Sequence, residues 1–395
     1  MESLVNHLEF LKNEIESLKS QNLYMPLPIL GGEQKARTII NDKQVINLSS
    51  NNYLGFANNP RIRKAAKEAI DKWGFGTGAV RQICGTMPIH IEFEEQLTKY
   101  KKTESALVFV AGIAANRGTI QAIMGEEDVI ISDELNHGSI IDGVRLVKCE
   151  RKIYPHCDMK GLEQALKESQ KFRRRLVVTD GVFSMDGDIS PLNEIAELAE
   201  KYDAITMVDD AHGDGVLGKD GRGIIDHFNI HGKIDIDMGT LSKAFGCLGG
   251  YIAGAEELKD YLVQRCRSFI FTTAHPPAIT AACMEAIKMV QDEPHHLKNL
   301  WNNTKYFKEK VMELGFDTGR SKTPITPIIV GENKNAIKLS EETFKEGLFV
   351  KPILYPLVAK DKARVRTIVT ALHTKEDLDE ALEIFERVGK RLKLI

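Results

Sequence analysis

The feature that most constrains the fold is a regular alternation of short apolar runs with longer amphipathic stretches, from about residue 105 onward. The apolar runs predict strands at Ala106–Val110, Val129–Ser132, Lys152–Pro155, Leu176–Thr179, Ile205–Val208, Ile234–Met238, Tyr251–Ala253 and Phe269–Thr272. Amphipathic stretches such as Met159–Glu168 and Leu192–Tyr202 predict helices between them. Because Val, Ile and Leu strands separated by helices are typical of a mostly parallel sheet buried on both faces, the pattern predicts an α/β protein.

The two ends of the chain differ from this central part. Apolar residues at spacings of four and three predict an opening amphipathic helix that packs on the body of the protein or on a partner subunit; they are Leu4, Leu8, Leu11, Ile15 and Leu18. After Pro276 and Pro277 a long helical tract reaches about Leu314. A smaller α/β section follows, with strand Ile325–Val330, helix Ala336–Glu346, strands Leu348–Ile353 and Val365–Thr370, and helix Lys375–Leu392. We therefore expect an N-terminal helix and arm at 1–47, a large domain at 48–290 and a small C-terminal domain at 291–395.

The composition argues against several classes of protein. Lys and Arg number 53 against 56 Asp and Glu, a formal net charge of -3, which is unlike a basic nucleic-acid binder. The longest apolar run, Ala106–Ala115, is about half of the ~20 residues that a membrane span needs, and no signal peptide is visible. The six cysteines contain no C-x-x-C pair, so we expect no metal site and a cytoplasmic location.

Two polar motifs at predicted strand ends point to a cofactor. Asp209, Asp210 and His212 follow one strand, at the carboxyl edge where open α/β sheets bind ligands. Lys243, preceded by Thr240 and Ser242 and flanked by glycines, follows a later strand. A lysine that forms a Schiff base, an acid that pairs with a pyridinium nitrogen and small groups that hold a phosphate are the set that pyridoxal phosphate (PLP) requires.

A glycine-rich stretch offers an alternative cofactor. Gly213–Gly218 matches the G-x-G-x-x-G pattern directly after a strand, with Asp235 about twenty residues further on. A nicotinamide site also needs a helix that starts at the last glycine, and the following Lys219–Gly223 is poor helix-forming sequence. The stretch therefore favours a loop over a dinucleotide site.

Five motifs together resemble a known family, the α-oxoamine synthases, which are PLP enzymes of the aminotransferase fold type I. The motifs that carry the resemblance are Ser50–Gly55, Leu135–His137, Asp180–Gly187, Val208–His212 and Gly239–Gly246. The resemblance implies an α/β fold with a large domain around a mostly parallel seven-stranded sheet and a small C-terminal α/β domain. It also implies an enzyme, an acyltransferase, and not a non-catalytic subunit, because Lys243, Asp209 and His137 are all present.

The same resemblance implies the residues of the site. Lys243 is expected to bind PLP covalently and to act as the base, and Asp209 to keep the pyridine nitrogen protonated. His137 and His212 complete the expected catalytic set. The remaining expected contacts are Gly112, Ile113, Ser184, Thr240, Thr272 and Thr273 for the cofactor, and Asn51, His137 and Arg366 for the substrate.

The resemblance further implies substrates and an assembly. It is greatest to the glycine C-acetyltransferases, at Val80–Thr86, Ser139–Leu146 and Tyr355-Pro356 with Ala363–Thr367. This implies condensation of glycine with acetyl-CoA to 2-amino-3-oxobutyrate in threonine and glycine metabolism. Condensation of alanine with pimeloyl-CoA to 8-amino-7-oxononanoate for biotin, or both activities, stays open. The expected assembly is a homodimer with shared sites, in which Thr272 and Thr273 reach the cofactor of the partner subunit.

Overall fold

The structure is a computed structural model that describes residues 7–395, so Leu4 of the predicted opening helix lies outside the described residues. The helices are α1 Phe10–Ser20, α2 Pro60–Trp73, α3 Pro88–Lys101, α4 Gly112–Ile123, α5 Gly138–Arg145, α6 Met159–Glu168, α7 Leu192–Lys201, α8 Ile224–His227, α9 Glu256–Arg265, α10 Arg267–Ile270, α11 Pro277–Asp292, α12 His295–Glu313, α13 Asn333–Lys345 and α14 Lys375–Arg391. The strands are β1 Arg37–Ile40, β2 Lys43–Asn47, β3 Ser105–Phe109, β4 Val129–Asp133, β5 Glu150–Tyr154, β6 Arg175–Asp180, β7 Ile205–Asp209, β8 Ile236–Thr240, β9 Gly250–Gly254, β10 Ile325–Gly331, β11 Leu348–Phe349, β12 Lys351–Ile353 and β13 Ala363–Ile368.

A seven-stranded sheet forms the centre of the molecule, in the order β3-β9-β8-β7-β6-β4-β5. β9 is antiparallel to both neighbours, and the pairs from β8 to β5 are parallel. Every residue of β3, β4, β6 and β8 is buried, as expected for a sheet covered by helices on both faces. The predicted α/β fold with a mostly parallel seven-stranded sheet is therefore confirmed.

This topology decides which loops meet. Because β4, β6, β7 and β8 run parallel, their carboxyl ends lie at one edge of the sheet. Asp180 at the end of β6 is the direct register partner of Asp209 at the end of β7. The turns after these strands therefore bring side chains that are far apart in sequence to one place.

Two smaller three-stranded sheets lie outside the central one, in the orders β1-β2-β11 and β10-β13-β12. Ile46 and Leu48 of the early chain share an apolar core with Phe307, Leu348 and Phe385. The N-terminal arm thus packs with the C-terminal section, while the division of the chain at 47 and 290 stays a prediction.

Three local predictions need correction or comment. The run Phe269–Thr272 is not a strand, because Arg267–Ile270 forms the short helix α10, which packs Phe269 against Phe109 with ring centroids 5.7 Å apart. A four-residue apolar run has no period long enough to separate strand from helix. In α1 no residue is buried within the described chain, and Leu11, Ile15 and Leu18 stay 41–42% exposed, so the surface that this helix is predicted to pack on stays open. Among residues 7–395, no helix has both the length and the apolar character that crossing a membrane requires.

Candidate active site

A cavity of about 250 Å³ opens at the carboxyl edge of the central sheet. Its walls come from the turns after β4, β6, β7 and β8 and from the start of α4. Of the residues predicted for the site, it brings together Gly112, Ile113, His137, Ser184, Asp209, His212, Thr240 and Lys243. These residues span more than a hundred positions of sequence. They meet here because the carboxyl ends of the parallel strands lie at the same edge of the sheet.

Lys243 lines the cavity together with Asp209 and Asp180. Burial lowers the pKa of its ammonium below the usual value, while the two carboxylates oppose that shift and Arg366 adds to it. A lowered pKa raises the fraction of unprotonated amine, which is the form that adds to an aldehyde or accepts a proton.

Asp209 is held by two donors. Its Oδ1 accepts a hydrogen bond from the backbone N–H of Ala211 at 3.0 Å, and its Oδ2 accepts one from the Asn116 side-chain amide at 2.7 Å. Burial, and next the charge of Asp209, raise the pKa of the neighbouring Asp180 well above its usual value. The arrangement favours a proton on Asp180, because burial beside a second carboxyl group disfavours its charged form.

His137 caps the helix that leads away from the cavity. It is the N-cap of α5, where Nδ1 lies 2.7 Å from the Ser139 hydroxyl and accepts from the Ser139 N–H at 3.2 Å. Its own backbone N–H donates to Asp180 Oδ2 at 3.1 Å. Burial lowers the pKa of His137, so the ring is neutral at neutral pH and presents a flat face without a charge.

His212 is a buried residue of the cavity wall. Its Nδ1 lies 2.8 Å from the Tyr53 hydroxyl. Burial, and then the positive charges of Lys243 and Arg366, hold the pKa of His212 well below its usual value. A neutral imidazole with one nitrogen paired to Tyr53 keeps the other nitrogen available for a hydrogen bond to a ligand.

One end of the cavity suits an anion. Gly112 and Ile113 form the first turn of α4, where backbone N–H groups have no partner within the helix. The buried Thr240 hydroxyl lies beside this turn, and a Cβ on Gly112 would come within 3.4 Å of Thr240 Oγ1. The glycine thus lets the helix start and the hydroxyl approach closely, in a geometry that fits a phosphate.

Arg366 on β13 approaches the cavity from the small sheet. Its guanidinium donates to the Ser184 carbonyl at 3.0 Å and lies 3.5 Å from the Asn51 side-chain oxygen. Burial lowers the pKa of Arg366, although a guanidinium stays charged in any protein. The structure therefore brings together Asn51, Ser184 and Arg366, which are separated by up to 315 residues in sequence.

Thr272 and Thr273 lie elsewhere. They line a small cleft with Arg81 and His275, and Thr273 pairs with Val80 in an isolated β-bridge. They do not line the cavity of their own chain. The contact of these two threonines with the cofactor of a partner subunit therefore stays a prediction.

Four polar cavity residues are absent from the predicted site: Asn116, Ser139, Asp180 and Ser242. Asp180 carries a signal that sequence reasoning could have used, since it ends β6 just as Asp209 ends β7. Asn116 carries no such signal, because its role depends on the long-range contact with Asp209.

The glycine-rich stretch Gly213–Gly218 serves packing instead of a dinucleotide. It is followed by a single 3-10 turn at Lys219–Gly221, so the helix that a pyrophosphate site needs is missing at this position. A Cβ on Gly213 would overlap the buried carboxylate of Asp210. Close approach to this carboxylate explains the glycine without a ligand.

The cavity residues fit PLP. Among the described residues, no hydrogen-bond partner reaches Oδ1 of Asn116 or Oδ1 of Asp180, although both atoms are buried at the cavity. Such atoms call for a polar ligand, because a buried polar group without a partner is costly. An amine at Lys243, a carboxylate at Asp209 and a helix start at Gly112 match the aldehyde, the ring nitrogen and the phosphate of PLP.

Comparison with known proteins agrees with this chemistry. A family model described as aminotransferase class I and II matches residues 43–385. A solved serine palmitoyltransferase from S. paucimobilis with a bound PLP–myriocin aldimine superposes with a TM-score of 0.93, at 28% identity over 100% of both chains. Fold, cavity and these matches define a PLP-dependent enzyme of fold type I.

Sequence relatives narrow the class further. An 8-amino-7-oxononanoate synthase of Thermoanaerobacter pseudethanolicus is 57% identical over 100% of both chains. A protein of the same name from Thermosipho melanesiensis is 57% identical over 97% of this chain and 98% of its own. The chain belongs to the α-oxoamine synthase family of PLP-dependent acyltransferases.

The expectation of glycine C-acetyltransferase activity is wrong. It is contradicted by curated relatives at 50–57% identity over 97–100% of the chain, which bear the name 8-amino-7-oxononanoate synthase. Of the motifs behind the expectation, Val80–Thr86, Tyr355-Pro356 and Ala363–Thr367 do not line the cavity, and from Ser139–Leu146 only Ser139 does.

Proposed function

We propose that this protein catalyses the decarboxylative condensation of alanine with pimeloyl-CoA to give 8-amino-7-oxononanoate, CO₂ and free CoA. The observation that supports this most is the full-length similarity, at 57% identity, to proteins named for that product. The reaction would place the protein in biotin synthesis.

The product name itself constrains the substrates. A nine-carbon acid with a ketone at C7 and an amine at C8 is assembled from a seven-carbon diacid and a two-carbon unit bearing nitrogen and a methyl group. Pimelate supplies the first part through its thioester carbonyl, and alanine supplies the second; its carboxylate leaves as CO₂ after the new bond forms, and a proton takes its place on the α-carbon. The new bond joins the alanine α-carbon to the thioester carbon, and the thiolate of CoA leaves with a proton.

Lys243 and Asp209 would carry the proton chemistry. When bound, PLP supplies a ring that accepts the electrons left on the α-carbon. Asp209, oriented by hydrogen bonds from Asn116 and Ala211, would hold a proton on the ring nitrogen. Lys243, whose pKa is lowered by burial, would take the α-proton of alanine.

The other residues of the site would bind and orient the substrate and the cofactor. Arg366, with Asn51 beside it, would bind the carboxylate of the amino acid through its planar fork. His137 would lie on the ring face, and His212 and Ser184 would hydrogen-bond near the ring hydroxyl. Gly112, Ile113 and Thr240 would hold the phosphate at the start of α4.

A substrate matrix tests the proposed function. Alanine, glycine and serine are each combined with pimeloyl-, acetyl- and palmitoyl-CoA, and products are identified by mass with CO₂ release measured in parallel. The expected result is one dominant product, 8-amino-7-oxononanoate, formed with one CO₂ per CoA released. A dominant product that retains the amino-acid carboxylate, or that contains another acyl chain, would contradict the proposal.

We also propose that the working unit is a homodimer with shared sites. The position of Thr272 and Thr273 outside their own cavity, and the exposed face of α1 at Leu11, Ile15 and Leu18, support a second subunit. Subunits carrying Lys243→Ala are mixed with subunits in which both threonines are replaced by bulky residues. Mixed dimers are expected to recover one competent site out of two, whereas activity of a chromatographically pure monomer would contradict shared sites.

A further inference from the structure

A histidine outside the cavity is bound between two aspartates. His156 Nδ1 lies 3.1 Å from Asp133 Oδ1, and Nε2 lies 2.7 Å from Asp188 Oδ2. The imidazole also meets the Phe183 ring edge-on, with centroids 4.3 Å apart and planes at 87°. Asp133 is 1% exposed and His156 20%, so the contact with Asp133 is sheltered from water.

Each aspartate belongs to a turn that carries a cavity residue. Asp133 ends β4 and accepts the backbone N–H of Leu135 at 2.9 Å, within the turn that leads to His137. Asp188 lies in a hairpin closed by the bridge Val182↔Ile189, and its carbonyl accepts the N–H of Phe183 at 3.1 Å.

Ser184, which lines the cavity, lies in this same hairpin. His156 therefore connects the turn that presents His137 with the hairpin that presents Ser184.

The bridge requires a doubly protonated ring. Both acceptors are carboxylates, so both ring nitrogens must donate, and a neutral imidazole has only one N–H. Burial alone would lower the pKa of His156, but the hydrogen bonds to Asp133 and Asp188 outweigh it and raise the pKa to about 12. The ring thus stays charged, and both contacts persist, throughout the range in which enzymes work.

The geometry does not suit a metal ion, although Cys157 is adjacent. Its Sγ is 3.7 Å from both ring nitrogens of His156, which places the sulfur over the ring face. A metal bound to an imidazole lies in the ring plane along a nitrogen lone pair, a direction already taken by the carboxylates. The cluster is therefore a structural contact between charged groups.

We propose that His156 is a positioning residue that holds the His137 turn and the Ser184 hairpin at a set distance across the cofactor cavity. The inference rests on the proposed function, because it assumes that Ser184 and His137 contact bound PLP. Loss of the bridge would let the hairpin and the ring-stacking turn shift independently while Lys243 and Asp209 stay in place.

The test compares His156→Gln with His231→Gln in the PLP-loaded enzyme. Glutamine can donate to one carboxylate but is unable to span both. His231 is a matched control, since it pairs with Asp226 at 2.9 Å and does not line the cavity. We expect His156→Gln to lower kcat about 10- to 100-fold and to alter the visible circular dichroism of bound PLP, whereas His231→Gln leaves both unchanged.

A double-mutant cycle with Ser184→Ala separates positioning from general stability. If His156 acts partly through Ser184, the double variant loses less activity than the product of the two single losses. If the activity losses of the two single variants simply multiply in the double variant and the dichroism spectrum is unchanged, the proposal for His156 is overturned, while the proposed function is unaffected. Full activity of Ser184→Ala would instead contradict the role of Ser184 at the cofactor and with it the premise of the His156 proposal, while the proposed reaction would stand.

If His156→Gln does not fold, Asp188→Asn replaces it in the same cycle. This variant keeps the shape of the side chain, removes one charge of the bridge and leaves Asp133 in place. The same outcomes then decide the proposal.

Discussion

Removal of one buried lysine should destabilise the protein far more than removal of its neighbour in sequence. Lys101 Nζ lies 2.8 Å from Asp214 Oδ1, 3.1 Å from Asp237 Oδ2 and 3.5 Å from Asp210 Oδ2. None of these four side chains is more than 2% exposed. Lys101→Met keeps most of the volume and removes the ammonium that contacts all three carboxylates.

The expected magnitude follows from burial. Removing one partner of a buried ion pair costs about 3–5 kcal/mol, because the remaining charge stays desolvated and unpaired. Lys102 pairs with Asp226 at 2.9 Å, but its side chain is 47% exposed. Because its ammonium remains half in water and Asp226 keeps its contacts with His231 and the Lys219 N–H, its loss should cost about 0–1 kcal/mol, so Lys102→Met is the matched control.

The loss of stability caused by Lys101→Met should become smaller as the pH falls. Burial raises the pKa of Asp214 to about 6 even beside Lys101, above its value in an unfolded chain. Between these two pKa values the folded state therefore binds more protons than the unfolded state. The stability that Asp214 contributes is lost as the pH rises through this range. Without Lys101 the carboxyl pKa values rise further, so the difference between variant and wild type should shrink from about pH 8 to about pH 5.5.

Equilibrium unfolding in urea, monitored by far-UV circular dichroism, measures the difference in free energy of unfolding between each variant and the wild type at about pH 8 and about pH 5.5. We expect a loss of about 3–5 kcal/mol for Lys101→Met at the higher pH and under 1 kcal/mol for Lys102→Met. Equal losses for the two variants, or a penalty for Lys101→Met that grows as the pH falls, would refute the reasoning.

Three further outcomes are expected. Lys243→Ala should remain folded by circular dichroism but lose turnover and the visible absorbance of the lysine-bound cofactor, a band that borohydride removes from the wild type while attaching PLP permanently to Lys243. A covalent PLP adduct on the variant would contradict the assignment. Arg366→Lys keeps the charge but loses the fork, so the apparent affinity for alanine should fall by about 1.5–3 kcal/mol, measured as KM, and an unchanged KM would show that another residue binds the carboxylate. Gly239→Ala places a methyl group in overlap with Asp214 and Tyr251, so urea unfolding should show a loss of about 1–3 kcal/mol, and a neutral result would mean that this core can relax.

Much of the fold and the centre of the site follows from local sequence pattern. The alternation of apolar runs and amphipathic stretches predicts the parallel sheet, because strand and helix periodicity are properties of short segments. Lys243 and Asp209 are recognisable for a similar reason, since Asp209 ends β7, Lys243 follows β8 by three residues, and each carries its chemistry in its own side chain. Lys219–Gly223, which is poor helix-forming sequence, also argues correctly against a nucleotide site at Gly213–Gly218.

Other features depend on contacts between distant segments, and only the tertiary structure decides them. The apolar run at Phe269 becomes helix α10 because Phe109 offers it a packing surface. Asn116 becomes a partner of Asp209, and Arg366 meets Asn51, through the order of strands in two different sheets. Local propensity carries no information on such pairs, because their contact energy appears only after the chain has closed the loops between them.

The same division applies to the site as a whole. Sequence motifs around Lys243 and Asp209 determine the cofactor chemistry, which all members of the family share. The motifs used to predict acetyl transfer lie mostly outside the cavity. The sequence by itself therefore determined a PLP-dependent α/β enzyme, whereas the positions of Asn116, Arg366 and His156 were decided by tertiary structure, since each depends on side chains that meet only in the folded chain.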